Sequence, residues 1–206
     1  MTEITGAAEA TASKPAGLRE RKKARTRAVI REQALRLFRE RGYSATTVEQ
    51  IAAAAEVSAA TFFRYFPTKE DVVLQDDLDI ITLEAFEAQP AELSPIAAMR
   101  AASAALAAAL SPAELARMHE TIELTRSVPE VRARAVDEFT RTIGVTAEAL
   151  AKRAGRPPDD FAARNLAGAM IGVIMAVTLT SPGGGPAEMF SRIDAALAHL
   201  EAGLPL

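Results

Sequence analysis

The sequence predicts an all-α fold, with a three-helix helix-turn-helix head at the N-terminus and a bundle of about six helices behind it. Three observations carry this prediction. No segment alternates apolar and polar residues over the length of a strand. Apolar residues recur instead at spacings of three and four, the period of a helix with one buried face. Proline opens segments at Ser94-Pro95, Ser111-Pro112, Pro129 and Pro186. A first helical turn tolerates proline, because the missing N–H would have no partner there anyway.

The elements run in this order. Residues 1–17, "MTEITGAAEATASKPAG", are small and polar without an apolar face, and are expected to be a disordered tail. The first helix is expected over Leu18 to Arg41, with Ile30, Ala34, Leu37 and Phe38 inward and Gly42 as its stop. Thr46 and Glu49 have the spacing of a capping box before a short second helix. A third starts near Ser58, and Thr68 caps a longer one. Helices from Pro95, Pro112 and Pro129 end near Leu110, Ser127 and Gly155. "PPD" at 157–159 opens a long apolar helix that ends at "SPGGGP", and the last helix begins at Pro186. The expected domains are residues 18–67 for the head and 68–206 for the body.

Composition narrows the function. The 206 residues include no Cys, which removes disulfides, thiolate metal sites and cysteine nucleophiles. The two His, His119 and His199, are far apart in sequence, so no metal site is expected. There is no phosphate loop, nucleophile elbow, zinc helix or dinucleotide turn, so neither an enzyme nor a cofactor is expected. The longest uncharged apolar stretch, Leu166 to Thr180, has 15 residues, short of the roughly 20 that span a bilayer. With no signal peptide visible, a cytoplasmic protein that does not enter membranes is expected. Charge is uneven: residues 1–70 hold 13 Lys/Arg against 8 Asp/Glu, and the remainder 11 against 19. A basic end on an acidic body suits an anionic partner such as DNA.

The densest chemistry is "EVSAATFFRYFPTKED", residues 56–71. Val48, Ile51 and Ala52 face inward from one short helix, and Val57, Phe62 and Phe66 from the turn and the next. Helices this short need a shared core, so they must cross and rest on the first helix. That is a helix-turn-helix, whose second helix lies in a major groove. Ser58 caps that helix, and Phe63 and Tyr65 point away from the core. A tyrosine hydroxyl can bond a phosphate oxygen, and a phenyl edge can pack on sugar or a thymine methyl. Arg64 and Lys69 add positive charge. The run "RERKKARTR", residues 19–27, either follows the DNA backbone or is a solvated helix face.

"TTVEQIAAAAEVSAATFFRYFPTKEDVV" resembles the DNA-binding segment of TetR-type transcriptional regulators. The matching positions are Thr47, Ile51-Ala52, Val57-Ser58, Thr61-Phe62, Tyr65-Phe66 and Lys69-Glu70. The resemblance implies a homodimer with a DNA-reading head and a ligand-binding body, most often a repressor that a small effector releases from its operator. By position it implies phosphate contacts from Thr47, Ser58, Tyr65 and Lys69. It places Ala59, Ala60, Thr61, Phe63 and Arg64 toward bases or the groove wall. Two departures stand out. Glu56 replaces the usual turn glycine, at a cost of roughly 1 kcal/mol if its φ is positive. Phe63 replaces the commoner Tyr and removes a hydroxyl. With alanines at two reading positions, Arg64, Thr61 and DNA shape are expected to supply much of the specificity.

One short recognition helix reads few base pairs, so two heads about 34–36 Å apart on a palindromic operator are expected. The body offers a dimer surface on its last two long helices, with Gly168, Gly172, Met175 and Leu179 on one and Phe190, Ile193, Leu197 and Leu200 on the other. The resemblance implies a four-helix interface between subunits there, while packing within one chain stays open. Phe86, Met99, Leu106, Met118, Ile122 and Phe139 are the candidate lining of an effector site, with Arg126 and Arg132 to meet an acidic group. The "TFFRYFPTKEDVV" variant is similar to regulators whose bodies bind fatty-acyl-CoA-like ligands. A DNA-binding activator or constitutive regulator without a small ligand remains the alternative.

Overall fold

The computed structural model describes residues 17–75, 78–180 and 184–206. The expected tail, apart from Gly17, lies outside the described residues. The described residues are all-α, and the chain divides after Tyr65 into two compact units.

The first unit holds α1 (Leu18–Arg41), α2 (Val48–Ala54) and α3 (Ala59–Tyr65). Ile30, Ala34, Leu37 and Phe38 are buried, as the stripe on α1 predicts, and Leu35 joins them. Gly42 ends α1 at φ 83, a left-handed conformation that other residues adopt at a cost, and its N–H donates to the Phe38 carbonyl at 2.9 Å. The Phe38 ring then meets Tyr43 at 4.9 Å. The cap of α2 lies one residue later than the sequence suggests. Thr47 and Gln50 form the capping box, not Thr46 and Glu49. The reason is burial: Thr46 is 1% exposed and its hydroxyl donates to the Gly42 carbonyl at 2.9 Å, which ties the turn to α1. Ile51, Ala52 and Phe62 close the core, whereas Val48 and Val57 are only half-buried.

The second unit contains α4 (Lys69–Leu74), α5 (Leu78–Glu87), α6 (Pro95–Ala109), α7 (Pro112–Ser127), α8 (Pro129–Arg153), α9 (Phe161–Met175) and α10 (Pro186–Glu201). Thr68 caps α4 through a box with Asp71, as expected, but the helix stops at Leu74 instead of running on. Seven helices therefore make this unit among the described residues, against the expected six. α8 starts at Pro129 as expected, with Val128 at its N-cap and the Ser127 hydroxyl donating back to the Glu123 carbonyl at 2.6 Å. One start differs. α9 is capped by Asp160, whose carboxylate accepts the Ala163 N–H at 2.8 Å, so residues 157–159 precede the helix.

α9 packs against α8 and α10, and α6 against α5 and α10. Alanines at the crossings, such as Ala98, Ala102, Ala147, Ala151 and Ala167, let these helices approach closely around Met170 and Leu197. Polar ties fix the outer surface. Arg100 on α6 bonds Asp194 on α10 at 2.8 Å and Glu201 at 3.4 Å. Arg134 on α8 bonds Asp71 on α4 at 3.0 Å, and Asp71 is only 1% exposed. α9 ends in one π turn, Ala176–Thr180. With that turn it spans 20 residues at a mean hydropathy of 1.6, long and apolar enough to match a membrane span, because it takes in residues before Leu166. Leu166, Val173, Ile174 and Val177 pack partly buried against the core, while Phe161, Ala162, Gly172 and Ala176 are exposed in the single chain.

Candidate nucleic-acid interface and effector cavity

In the first unit, α2, a tight turn and α3 form the helix-turn-helix. The turn residue Glu56 has φ 55, so it does carry the left-handed strain its position foretold. The Val57 N–H returns to the Ala52 carbonyl at 2.9 Å and seals the turn. Ser58 starts α3: its hydroxyl accepts the Thr61 N–H at 3.1 Å and lies 2.9 Å from the Thr61 hydroxyl. Phe62 is fully buried, while its neighbour Phe63 is 49% exposed and meets it edge-on at 5.4 Å. One aromatic thus anchors the helix and the other is offered to the outside.

The residues expected from the sequence to meet DNA differ in exposure. Thr47, Ser58, Ala60, Phe63 and Arg64 are exposed, and Ala59, Thr61 and Tyr65 are half-buried on the same two short helices and their caps. Lys69 opens α4 in the second unit, so it is not part of that same body. Thr47 and Ser58 each spend their hydroxyl on a cap, which fixes the first-turn N–H groups of α2 and α3.

The second unit surrounds a cavity of about 270 Å³. Of the candidate effector residues, Met99, Leu106, Met118, Ile122 and Phe139 line it. Phe86, Arg126 and Arg132 do not. Phe86 is packed in the core with the Arg153 guanidinium 5.5 Å above its ring. Arg126 donates to the Thr178 carbonyl at 2.7 Å and borders a smaller recess instead. Three residues assigned to a subunit interface, Leu179, Phe190 and Ile193, line the cavity. Ile193 and Leu197 are buried within their own chain, so they have no surface to give a partner. α10 turns that face inward because α6 and α9 both pack on it.

Sequence reasoning missed the hydroxyl residues of the lining, among them Thr82, Thr121, Thr125 and Thr178. Threonine reads as polar, but these mostly bond their own helix. Thr82 donates to the Leu78 carbonyl at 2.7 Å, Thr125 to Thr121 at 2.8 Å and Thr178 to Ile174 at 3.0 Å. The buried Thr121 hydroxyl has no partner among the described residues. Leu74 of α4 also lines the cavity, so the helix that begins just after the reading head forms part of its wall.

A capped helix-turn-helix with one exposed aromatic and one exposed arginine, joined in one chain to a hollow helical body, defines a DNA-binding regulator. Comparison with known proteins makes this specific. Residues 30–75 match the model for bacterial regulatory proteins of the tetR family, and residues 93–205 match that for the MftR C-terminal domain. The HTH-type transcriptional regulator TcmR of Streptomyces glaucescens is 37% identical over 151 residues, 70% of this chain and 67% of its own length. The chain belongs to the TetR family of DNA-binding transcriptional regulators. Its fold is similar to that of a TetR-family regulator from Syntrophomonas wolfei, at 16% identity, TM-score 0.60, and 89% and 98% coverage of the two chains. It is also similar to Thermus thermophilus FadR, a TetR-family repressor solved with lauroyl-CoA, at 26% identity, TM-score 0.57, and 87% and 95% coverage.

Proposed function

We propose that the protein is a homodimeric, cytoplasmic repressor that leaves a palindromic operator when an apolar effector of the fatty-acyl class fills the body. The observation that carries this reading is the 270 Å³ cavity and its lining of Met, Leu, Ile and Phe side chains. A largely apolar space of this kind favours an apolar guest, since filling it restores the contacts its walls lack. The resemblance to a repressor solved with lauroyl-CoA supports an acyl chain as that guest.

In this reading Thr47, Ser58, Tyr65 and Lys69 hold phosphates, and Arg64, Thr61, Phe63, Ala59 and Ala60 lie along the major groove. The dimer uses the outward face of α9. Gly172 is exposed on it, Gly168 and Met175 are half-buried, and Phe161 is 81% exposed at its start. Phe161, a large apolar side chain left so open, is one that another copy can cover. The experiment is a titration of the protein on DNA upstream of its own gene, with and without lauroyl-CoA. Specific binding that the ligand weakens supports the proposal. Specific binding that no acyl ligand alters favours a regulator without an effector.

A further inference from the structure

α1 is longer than its core requires. Its first buried residue is Ile30, so residues 18–29 bury no side chain and run about 18 Å ahead of the packed part, at about 1.5 Å per residue. This overhang holds six cations, Arg19, Arg21, Lys22, Lys23, Arg25 and Arg27, against one acidic residue, Glu20. Arg19, Arg21, Lys22, Lys23 and Arg25 are exposed. In the packed part, Arg36 bonds Glu40 one turn on at 2.9 Å. Within the overhang, Lys23 is the one cation three or four places from Glu20.

As an isolated helix the overhang works against itself. Arg19 stands three and four places from Lys22 and Lys23, Arg21 four from Arg25, and Lys23 four from Arg27. Like charges at those spacings destabilise a helix, and no buried face offsets the repulsion. A polyanion alongside does offset it. Duplex DNA carries one negative charge per about 1.7 Å of axis, so an 18 Å helix spans the axial length of about ten phosphates. An anionic membrane fits less well, because residues 19–28 offer no large apolar side chain to enter it. DNA is also the polyanion at hand. α1 packs on α2 in the same compact unit as the helix-turn-helix, so the overhang stays close to any duplex the head binds. The cations are spread around the axis, at about 3.6 residues per turn, and not gathered on one edge. Contact with phosphates tolerates that spread, whereas reading base edges needs side chains in fixed orientations. The overhang lies before residue 30, where the match to the family begins, so that match assigns it no role.

We infer that residues 18–29 form a phosphate-binding arm. It adds sequence-independent backbone contacts outside the helix-turn-helix and sets much of the protein's affinity for duplex DNA. This rests on DNA binding by the head and is independent of the effector and dimer readings.

The test compares the full chain with a variant that carries Arg19→Gln, Arg21→Gln, Lys22→Gln, Lys23→Gln and Arg25→Gln together. Fluorescence anisotropy is read over a range of KCl concentrations on two labelled duplexes, one of random sequence and one from upstream of the protein's own gene. On the random duplex, the slope of log affinity against log salt should be shallower by about 3 to 4 per bound chain, since each lost phosphate contact removes about 0.9. At fixed salt, affinity should fall by at least about tenfold, and by the same factor on both duplexes. The unfolding midpoint should not drop, because the replaced side chains are exposed. A second variant, Arg19→Lys, Arg21→Lys and Arg25→Lys, keeps the charge and should keep the slope. An unchanged slope in the glutamine variant overturns the arm and leaves a solvated helix. A loss confined to the upstream duplex also overturns it, because that marks base reading. If the wild type binds neither duplex at low salt, DNA binding by the head and the arm have failed together.

Discussion

In the first unit the interior is Ile30, Leu35, Phe38, Ile51 and Phe62, large side chains that meet across helices fixed by caps. In the second it is largely alanine at the helix crossings, and a space of about 270 Å³ stays among α4 to α10. A head that must present Arg64 and Phe63 at fixed positions needs a filled core, because displacement of a reading side chain loses its contact. A body that must answer a guest needs unfilled volume and elements with more than one arrangement.

The contrast can be broken most severely in the head. Phe62→Ala removes a fully buried ring from a core with little else to close it. It should cost about 3–5 kcal/mol in denaturant unfolding and abolish operator binding. Arg134→Ala tests the ion pair between α8 and the buried Asp71 of α4. It leaves the Asp71 carboxylate, 1% exposed, with its cap at Thr68 but without its cation. The loss should be about 2 kcal/mol by the same assay, less than for a fully enclosed pair, since the Arg134 side chain is 30% exposed.

Two substitutions should stabilise, one in each unit. Glu56→Gly relieves the residue at φ 55 and should raise stability by about 1 kcal/mol, leaving operator preference unchanged. Thr121→Val removes a buried hydroxyl that has no partner and should also gain about 1 kcal/mol, read as a higher unfolding midpoint. The smallest effect concerns pH. The hydrogen bond from Arg100 holds the Asp194 carboxyl below the ordinary aspartate range. Its stabilisation is therefore present above that range and is lost as pH falls through the lowered folded value. Unfolding midpoints measured down an acid series should fall less steeply for Asp194→Asn than for wild type.

The same contrast decides how much could be read from sequence. The head was legible because its constraints are local. Ile30, Ala34, Leu37 and Phe38 share a helical face, Gly42 ends it, and Ser58 caps α3. The misplaced cap at Thr46 shows the limit, since only the tertiary fold reveals that this hydroxyl is spent on the Gly42 carbonyl. In the body, helix starts at Pro95, Pro112, Pro129 and Pro186 were legible for the same local reason. The inward face of α10 was not. Ile193 and Leu197 have the spacing of an interface stripe, and a stripe does not say whether its partner is α6 of the same chain or another copy. The cavity was half legible. Met99, Leu106, Met118, Ile122 and Phe139 could be named from their apolar character, but the threonines could not, because their hydroxyls are absorbed by their own helices.

The central claim is that occupancy of the hollow body governs what the filled head does. The measurement that tests it most directly is fluorescence anisotropy of the full chain on labelled DNA from upstream of its own gene, at fixed salt, as lauroyl-CoA is raised. The account predicts specific binding whose apparent affinity falls by at least about tenfold once the cavity is saturated. Specific binding that stays constant while calorimetry shows lauroyl-CoA bound to the same protein would contradict it.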